Sequence, residues 1–279
     1  MPAAPRPIVF VSDFGFGNEW VGFCHAVMAG IAPESPIVDL SHGIRRLEVG
    51  SGALLLADAM PWIPENAVVL AVVDPNVGKD REIAVETTSG RVLVGPDNGL
   101  LSLAWKAAGG AAAAAEITSP DVIRPPRAES FRAPDTLCRA TAHLATGLAL
   151  ADLGPELDPG TLEVLSIPEP EVQRGKICSE VIDFNRFGNL QLNVREAHLV
   201  EAGLNNAPLL RIEAISGSAE AGRGATFADF EPNAYGLIID AGGWLTIVRG
   251  NPGNALQGLG VTPGDLVWIS AAAGEPTPA

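Results

Sequence analysis

Apolar positions follow two different rhythms along the chain. Up to about residue 150, short β-branched runs alternate with longer segments in which apolar residues recur every three or four positions. The short runs predict strands at 7–13, 37–40, 67–74, 82–87 and 91–94. The longer segments predict helices at 19–31, 48–60, 99–107 and 135–149. Strand–helix alternation of this kind lays helices over the faces of a mostly parallel sheet. The alanine run at 111–115 reads as a loop or a helix end. Around 166–174, Pro168 and Pro170 interrupt the pattern, and beyond Gly175 the runs become short and β-like, separated by Gly, Asn and Pro. The expected fold is an α/β N-terminal domain with a mostly parallel sheet, residues 1–168, followed by a smaller all-β, barrel-like C-terminal domain, residues 175–272. The closing AAAGEPTPA is read as a frayed tail.

Charge narrows the partners. The 279 residues carry 18 basic and 33 acidic groups, a net charge of −15. That excess repels phosphate backbones and anionic lipid, so neither nucleic acid nor membrane is an expected partner, whereas a small cationic ligand is favoured. No apolar stretch reaches membrane-spanning length, and the start has no secretory h-region, so a soluble cytoplasmic protein is expected. Cys24, Cys138 and Cys178 are far apart and odd in number, which suits reduced thiols. His25, His42, His143 and His198 form no HxH, HxxH or HExxH spacing, so no metal site is expected. GFGNEW imitates a dinucleotide fingerprint only superficially, and there is neither a GxSxG elbow nor a P-loop lysine.

The stretch LAVVDPNVGKDR at 70–81 carries the strongest chemical signal. A buried strand ends there in Asp74, a Pro/Gly turn follows, and Arg81 comes seven positions on. Open α/β sheets hold ligands at the carboxyl ends of their strands. Asp13 ends the first strand in the same way, in VSDFGFGNEW. It can accept both hydroxyls of a ribose, or cap the helix that follows. Asp97 and Asn98, in GPDNGLLSLA, lie at a third corner that also suits an Asx turn at a helix start. In DFNRFGNLQLNV, Asn185 and Asn189 flank a glycine turn, and an amide there offers a donor and an acceptor to a heterocycle edge. NPGNA at 251–255 repeats that chemistry with Asn251 and Ala255. Taken singly, each corner reads equally well as a tight turn.

Taken together and in this order, SDFG (12–15), VDLSH (38–42), VVDPNVGKDR (72–81), GPDNGLL (95–101), AHLATG (142–147), FGN (187–189) and NPGNA (251–255) resemble the S-adenosyl-L-methionine hydroxide adenosyltransferases, relatives of the fluorinases and chlorinases. The resemblance spans nearly the whole chain. It implies an α/β domain, a β-barrel, and a homotrimer with intersubunit active sites. It also implies displacement at the ribose C5′ of S-adenosyl-L-methionine by water or halide, with methionine leaving and no metal or cofactor required. By the same resemblance Asp13 holds the ribose, Asn189 and the segment with Asn251 and Ala255 hold adenine, and Asp74 and Arg81 position water. Halogenases place a tyrosine where this chain has Asp74.

Several positions depart from the family pattern. The family's TFHGRD reads SFRAPD at 130–135, so the histidine of the water-activating set is Arg132, which cannot take a proton at ordinary pH. An aspartate expected at position 18 is Asn18, and a Tyr or Ser two positions later is Trp20. The aspartate before FGN aligns with Asn185, although Asp183 is close. Gly242 and Gly243 stand where halogenases bind methionine with an arginine. Three readings stay open. In one, water attacks with Asp74 as acceptor while Arg81 and Arg132 stabilise the developing hydroxide. In another, Arg132 binds an anionic nucleophile or an altered substrate. In the third, the chain binds nucleoside without turnover. Trp20 could also face the sulfonium through a cation–π contact, or simply pack in the core.

Overall fold

The apolar run near the start forms β1 (Ile8–Ser12), a strand buried along its whole length. A computed structural model describes residues 5–272 and divides the chain into two units, Met1–Leu165 and Ser166–Ala279. The tail beyond 272, expected to fray, lies outside the described residues.

In the first unit the chain continues through α1 (Trp20–Ile31), β2 (Ile37–Ser41), α2 (Val49–Ala59), β3 (Val68–Val72), β4 (Glu82–Thr87) and β5 (Val92–Pro96). It ends with α3 (Ser102–Ala107), β6 (Ala111–Glu116), α4 (Leu137–Ala145) and β7 (Glu156–Leu157). The sheet order is β2-β1-β3-β5-β4-β6-β7. The first four strands run parallel, and β4, β6 and β7 extend the sheet antiparallel. Alternate strand residues serve opposite faces, as a period of two requires. Ile8, Phe10, Leu70 and Val94 pack with Met28 of α1 and Leu144 of α4. Val9, Val69, Ile83 and Leu93 pack with Leu56 of α2 and Trp105 of α3. The result is three layers, helix on sheet on helix.

The alanine run corrects the sequence reading, because it forms strand β6 and not a loop or helix end. Ala114 and Ala115 pair with Val85 and Ala84, both alanines are buried, and each feeds a different core face. Alanine has a weak intrinsic preference for strands, and burial on both faces of an inner strand overrides it. The helix expected to reach 149 stops at Ala145 and is followed by a 3₁₀ turn at Leu150–Leu153.

The second unit holds β8 (Glu171–Gln173), β9 (Lys176–Phe184), β10 (Leu190–Arg195), α5 (Glu196–Glu201), β11 (Leu209–Ala214) and β12 (Gly217–Arg223). Next come β13 (Tyr235–Ile239), β14 (Trp244–Arg249), α6 (Ala255–Leu259) and β15 (Leu266–Ala271). The order β10-β14-β13-β12-β11-β15-β9 closes on itself through β9–β10, giving a seven-stranded barrel with β8 appended. Its core is a single cluster of inward Ile, Leu and Val side chains. Among the described residues, no helix is long and apolar enough to cross a membrane.

Candidate active site

The parallel half of the first sheet reverses direction around β1. The chain runs from β1 out to β2, then crosses back so that β3 lies on the other side of β1. A crevice opens at such a switch point, at the carboxyl ends of the strands. Ser12 is in register with Val72, so Asp13 and Asp74 follow adjacent strands onto the same edge. A cavity of about 480 Å³ opens there, a volume suited to a small organic ligand.

Charged and aromatic side chains dominate the chemistry of its lining. Asp13, Asp74 and Glu82 bring carboxylates, Arg46 and Arg132 bring guanidiniums, and Phe14, Trp20 and Phe131 form an aromatic wall. The Trp20 ring lies 5.8 Å from Phe14, edge-on at 86°, and 5.5 Å from Phe131 at 31°. Trp20 is 42 % exposed, so it forms the cavity's wall and is no core residue. Asn18, also in the lining, donates from Nδ2 to the Phe14 carbonyl at 2.9 Å and closes the turn below that wall.

Asp13 has a second partner besides any ligand. Its Oδ2 accepts the Leu47 N–H at 2.9 Å. Leu47 has φ 64°, a left-handed conformation that costs a branched residue about 1–2 kcal/mol. The carboxylate therefore clips a strained loop against the cavity and brings Arg46 and Leu47 into its lining.

Asp74 accepts the Asn76 N–H through Oδ1 at 2.8 Å, an Asx turn that holds the carboxylate at the strand end. Burial pushes its pKa above the usual carboxylate value, and the Asp80 and Asp13 charges add to this, against the Asn76 hydrogen bond and Arg132. Glu82 is the functional candidate that the sequence motifs miss. It opens β4 antiparallel to β5, with Glu82 opposite Pro96, so the strand delivers its first residue to the carboxyl edge of its parallel neighbours. Its Oε1 accepts the Thr136 hydroxyl at 2.9 Å and lies 3.7 Å from Arg132 Nε. Arg132 also donates to Glu129 at 2.7 Å. Two carboxylates thus hold the residue that stands in place of the family histidine.

Burial raises the Glu82 pKa, and Asp74 raises it further, while Thr136 and Arg132 oppose the shift. A carboxyl whose pKa is higher folded than unfolded contributes stability at low pH, which is lost as pH rises through the folded value. Glu82→Gln, neutral at every pH and still able to accept from Thr136, is therefore expected to raise the thermal midpoint at pH 7. The gain should shrink on acidification. A lower midpoint at pH 7 would contradict this account of the cavity's electrostatics.

The remaining sequence candidates have other surroundings. Arg81 is not part of the cavity lining: Nε donates to Asp97 at 2.6 Å and an NH2 group to the Thr161 carbonyl at 3.1 Å. Asp97 is buried and also accepts the Glu163 N–H at 2.9 Å. Asn98 donates to the Val73 carbonyl at 3.0 Å and accepts from Leu100 N at 3.2 Å, which ties the β5–α3 corner to the end of β3. These three bind the sheet edge together behind Asp74.

In the second unit, a cavity of about 140 Å³ is lined by Asp183, Asn185 and buried Asn189, together with Gln191, Asp240 and Thr246. Asn185 Oδ1 accepts from Phe187 N at 2.9 Å and Asn189 N at 3.2 Å, which shapes the FGN turn. Gly188 sits at φ 77°, and a Cβ there would meet Asn254 Oδ1 at 2.1 Å. The Leu256 N–H donates to the Gly188 carbonyl at 2.9 Å, so FGN and NPGNA pack as one structure. Within it Asn251 is exposed and Ala255 fully buried. At Gly242 and Gly243 the space is taken by Arg195, which donates to the Gly242 carbonyl and would lie 2.9 Å from a Cβ on Gly243.

Comparison with known proteins agrees with the architecture. The sequence matches the family models for the SAM hydroxide adenosyltransferase N-terminal domain over residues 8–154 and C-terminal domain over residues 179–268. It is 36% identical to the (R)-S-adenosyl-L-methionine hydrolase of Salinispora arenicola, over 95% of this chain and 97% of that protein. With the enzyme of the same name from Salinispora tropica the identity is 37%, over 96% of this chain and 99% of the relative. A crystal structure of an uncharacterized conserved protein from Thermotoga maritima superposes with a TM-score of 0.86 at 28% identity, covering 94% of this chain and 99% of that one. Sequence and fold thus lead to one conclusion: the chain belongs to the SAM hydroxide adenosyltransferase family.

Proposed function

We propose that the protein hydrolyses S-adenosyl-L-methionine to adenosine and methionine. The observation that carries this reading is the pair Asp13 and Asp74 on neighbouring strand ends, in an anionic cavity with an aromatic wall. Asp13 accepts from the ribose hydroxyls, and Asp74 faces the attacking water. The water oxygen bonds to C5′ as the C5′–S bond breaks, sulfur leaves with the bonding pair as a neutral thioether, and the water proton passes to Asp74. The raised pKa makes Asp74 a better base than an ordinary carboxylate. The sulfonium already activates C5′, so the main tasks left to the protein are in-line placement and removal of bulk water.

Arg132 favours water over an anionic nucleophile. Glu82 and Glu129 already pair with it, and a guanidinium so neutralised attracts a further anion weakly. Its charge still opposes the Asp74 shift, which keeps that carboxylate ionised over a wider pH range. Arg81, held by Asp97, acts by positioning the edge behind Asp74. Adenine recognition falls to Asn189 and its neighbour Asn185, which line the smaller cavity, whereas Ala255, expected to line the adenine, is buried in the barrel core and supports the FGN turn from behind. We place the protein in the cytoplasm as a homotrimer, a state that sedimentation velocity measures directly.

Incubation with S-adenosyl-L-methionine in ¹⁸O water, with and without chloride, tests the reaction by mass spectrometry. Adenosine labelled at O5′ is expected in both cases; a 5′-chloro product or no product overturns the proposal. Trp20→Ala gives a separate test of the aromatic wall. A cation over an indole gains about 0.5–2 kcal/mol, so affinity for the sulfonium substrate should fall roughly 2- to 30-fold while affinity for adenosine stays unchanged. Equal losses for both ligands would assign Trp20 to packing alone.

A further inference from the structure

The four histidines are scattered in sequence, yet two of them meet across the edge of the first sheet. His25 on α1 and His42 just beyond β2 stand on either side of Asp39 of β2. His25 Nε2 lies 2.8 Å from Asp39 Oδ1 and His42 Nε2 lies 3.0 Å from the same oxygen. We propose that His25, Asp39 and His42 form a binding site for a first-row divalent metal ion of the zinc class, separate from the adenosyl cavity.

Two features beyond the clustering support this. His42 is fully buried, and its Nε2, aimed into the cluster 3.0 Å from Asp39 Oδ1, has no partner of good hydrogen-bond geometry there. Its other nitrogen is fixed, with Nδ1 2.7 Å from Ser12 Oγ. When Nδ1–H is given to Ser12, Nε2 presents a lone pair towards a carboxylate, an arrangement that a cation between them relieves. Metal-bound histidines carry this kind of outer partner, which sets tautomer and ring direction. The Phe10 and Phe16 rings approach His42 edge-on at 4.5 and 5.1 Å and hold its plane.

The donor set fits the ion. One atom from each residue brings three donors within 4.8 Å of one another. A tetrahedral ion at about 2.0–2.1 Å from each donor separates them by about 3.3 Å, so the two short contacts need to open only slightly. Two imidazoles and one carboxylate suit zinc-class ions, whereas calcium and magnesium take oxygen donors. His25 and Asp39 are 34% and 30% exposed, which leaves an entry path and room for water as the remaining ligand. An ion there would tie α1 to β2 and, through Ser12 and the Gly15 N–H on the His42 carbonyl at 2.8 Å, to the turn that carries Asp13 and Phe14.

The test uses the tag-free full-length chain, stripped with chelator and titrated with Co²⁺, then with Zn²⁺ as competitor. One Co²⁺ per chain with visible d–d absorption, displaced by Zn²⁺, is expected, together with a thermal midpoint that rises with Zn²⁺. His25→Ala removes a partly exposed ligand and leaves the core intact. It should weaken binding by at least roughly ten-fold, and Asp39→Asn should do the same. Equal binding by the unaltered chain and His25→Ala would mean an adventitious ion only, and absence of binding by both would also overturn the proposal. The readout is metal occupancy, so its failure leaves the hydrolytic reading untouched.

Discussion

Asp74→Asn is expected to lower kcat by roughly 10²- to 10⁴-fold, the usual contribution of a placed general base, with little change in KM. Asparagine still accepts the Asn76 N–H, so the strand end keeps its turn and only the proton acceptor is lost. Because burial raises the Asp74 pKa, the acid limb of kcat/KM in the unaltered enzyme should lie above the ordinary carboxylate range. Activity falls as pH drops through that raised value, since the base becomes protonated. The variant should lose this limb along with its rate. Steady-state kinetics across pH decides the matter: a variant with normal kcat, or with the same acid limb, removes Asp74 from the chemistry and leaves in-line placement as the main source of rate.

Asp13→Ala should act on binding. It deletes the proposed ribose acceptor, and one hydrogen bond to a charged group is worth about 1.5–3 kcal/mol, so KM should rise roughly 10- to 150-fold. It also unclips Leu47, whose strained backbone depends on that carboxylate. Trypsin should then cut after Arg46 faster than in the unaltered chain. Asp13→Asn separates the two effects, because its amide oxygen still accepts from Leu47 while the charge is gone. The Asn variant should resist trypsin like the parent yet show a raised KM. Unchanged KM in both variants would mean that Asp13 serves the loop and no ligand.

These residues also show why some of the molecule could be read from its sequence and some could not. Asp13 and Asp74 were legible as candidates because each ends an apolar run at the edge where α/β sheets hold ligands, although each corner taken singly also reads as a turn or a cap. Glu82 was hidden because it begins a strand. Only the antiparallel turn of β4 against β5 brings a first residue to the ligand edge, and nothing in local periodicity tells a parallel strand from an antiparallel one. Arg81, one position earlier, looked equally chemical, but its destination depends on Asp97, sixteen residues away. The alanine strand β6 was lost for a related reason, since its pairing partners, and not its own side chains, make it a strand. His25 and His42 escaped notice because a helix and a strand edge bring them together, whereas sequence motifs report ligands that share one element.

Among the described residues the second unit's strands pair in a closed ring, but β12 meets β13 only through Ala221–Arg223, so Gly217–Glu220 keep an open edge on that side. An extended peptide that adds itself as another strand is thereby confined to short stretches such as this one and β8. Self-assembly through the paired remainder of this unit is written in side chains and turns, where single substitutions can tune or abolish it without unzipping the sheet.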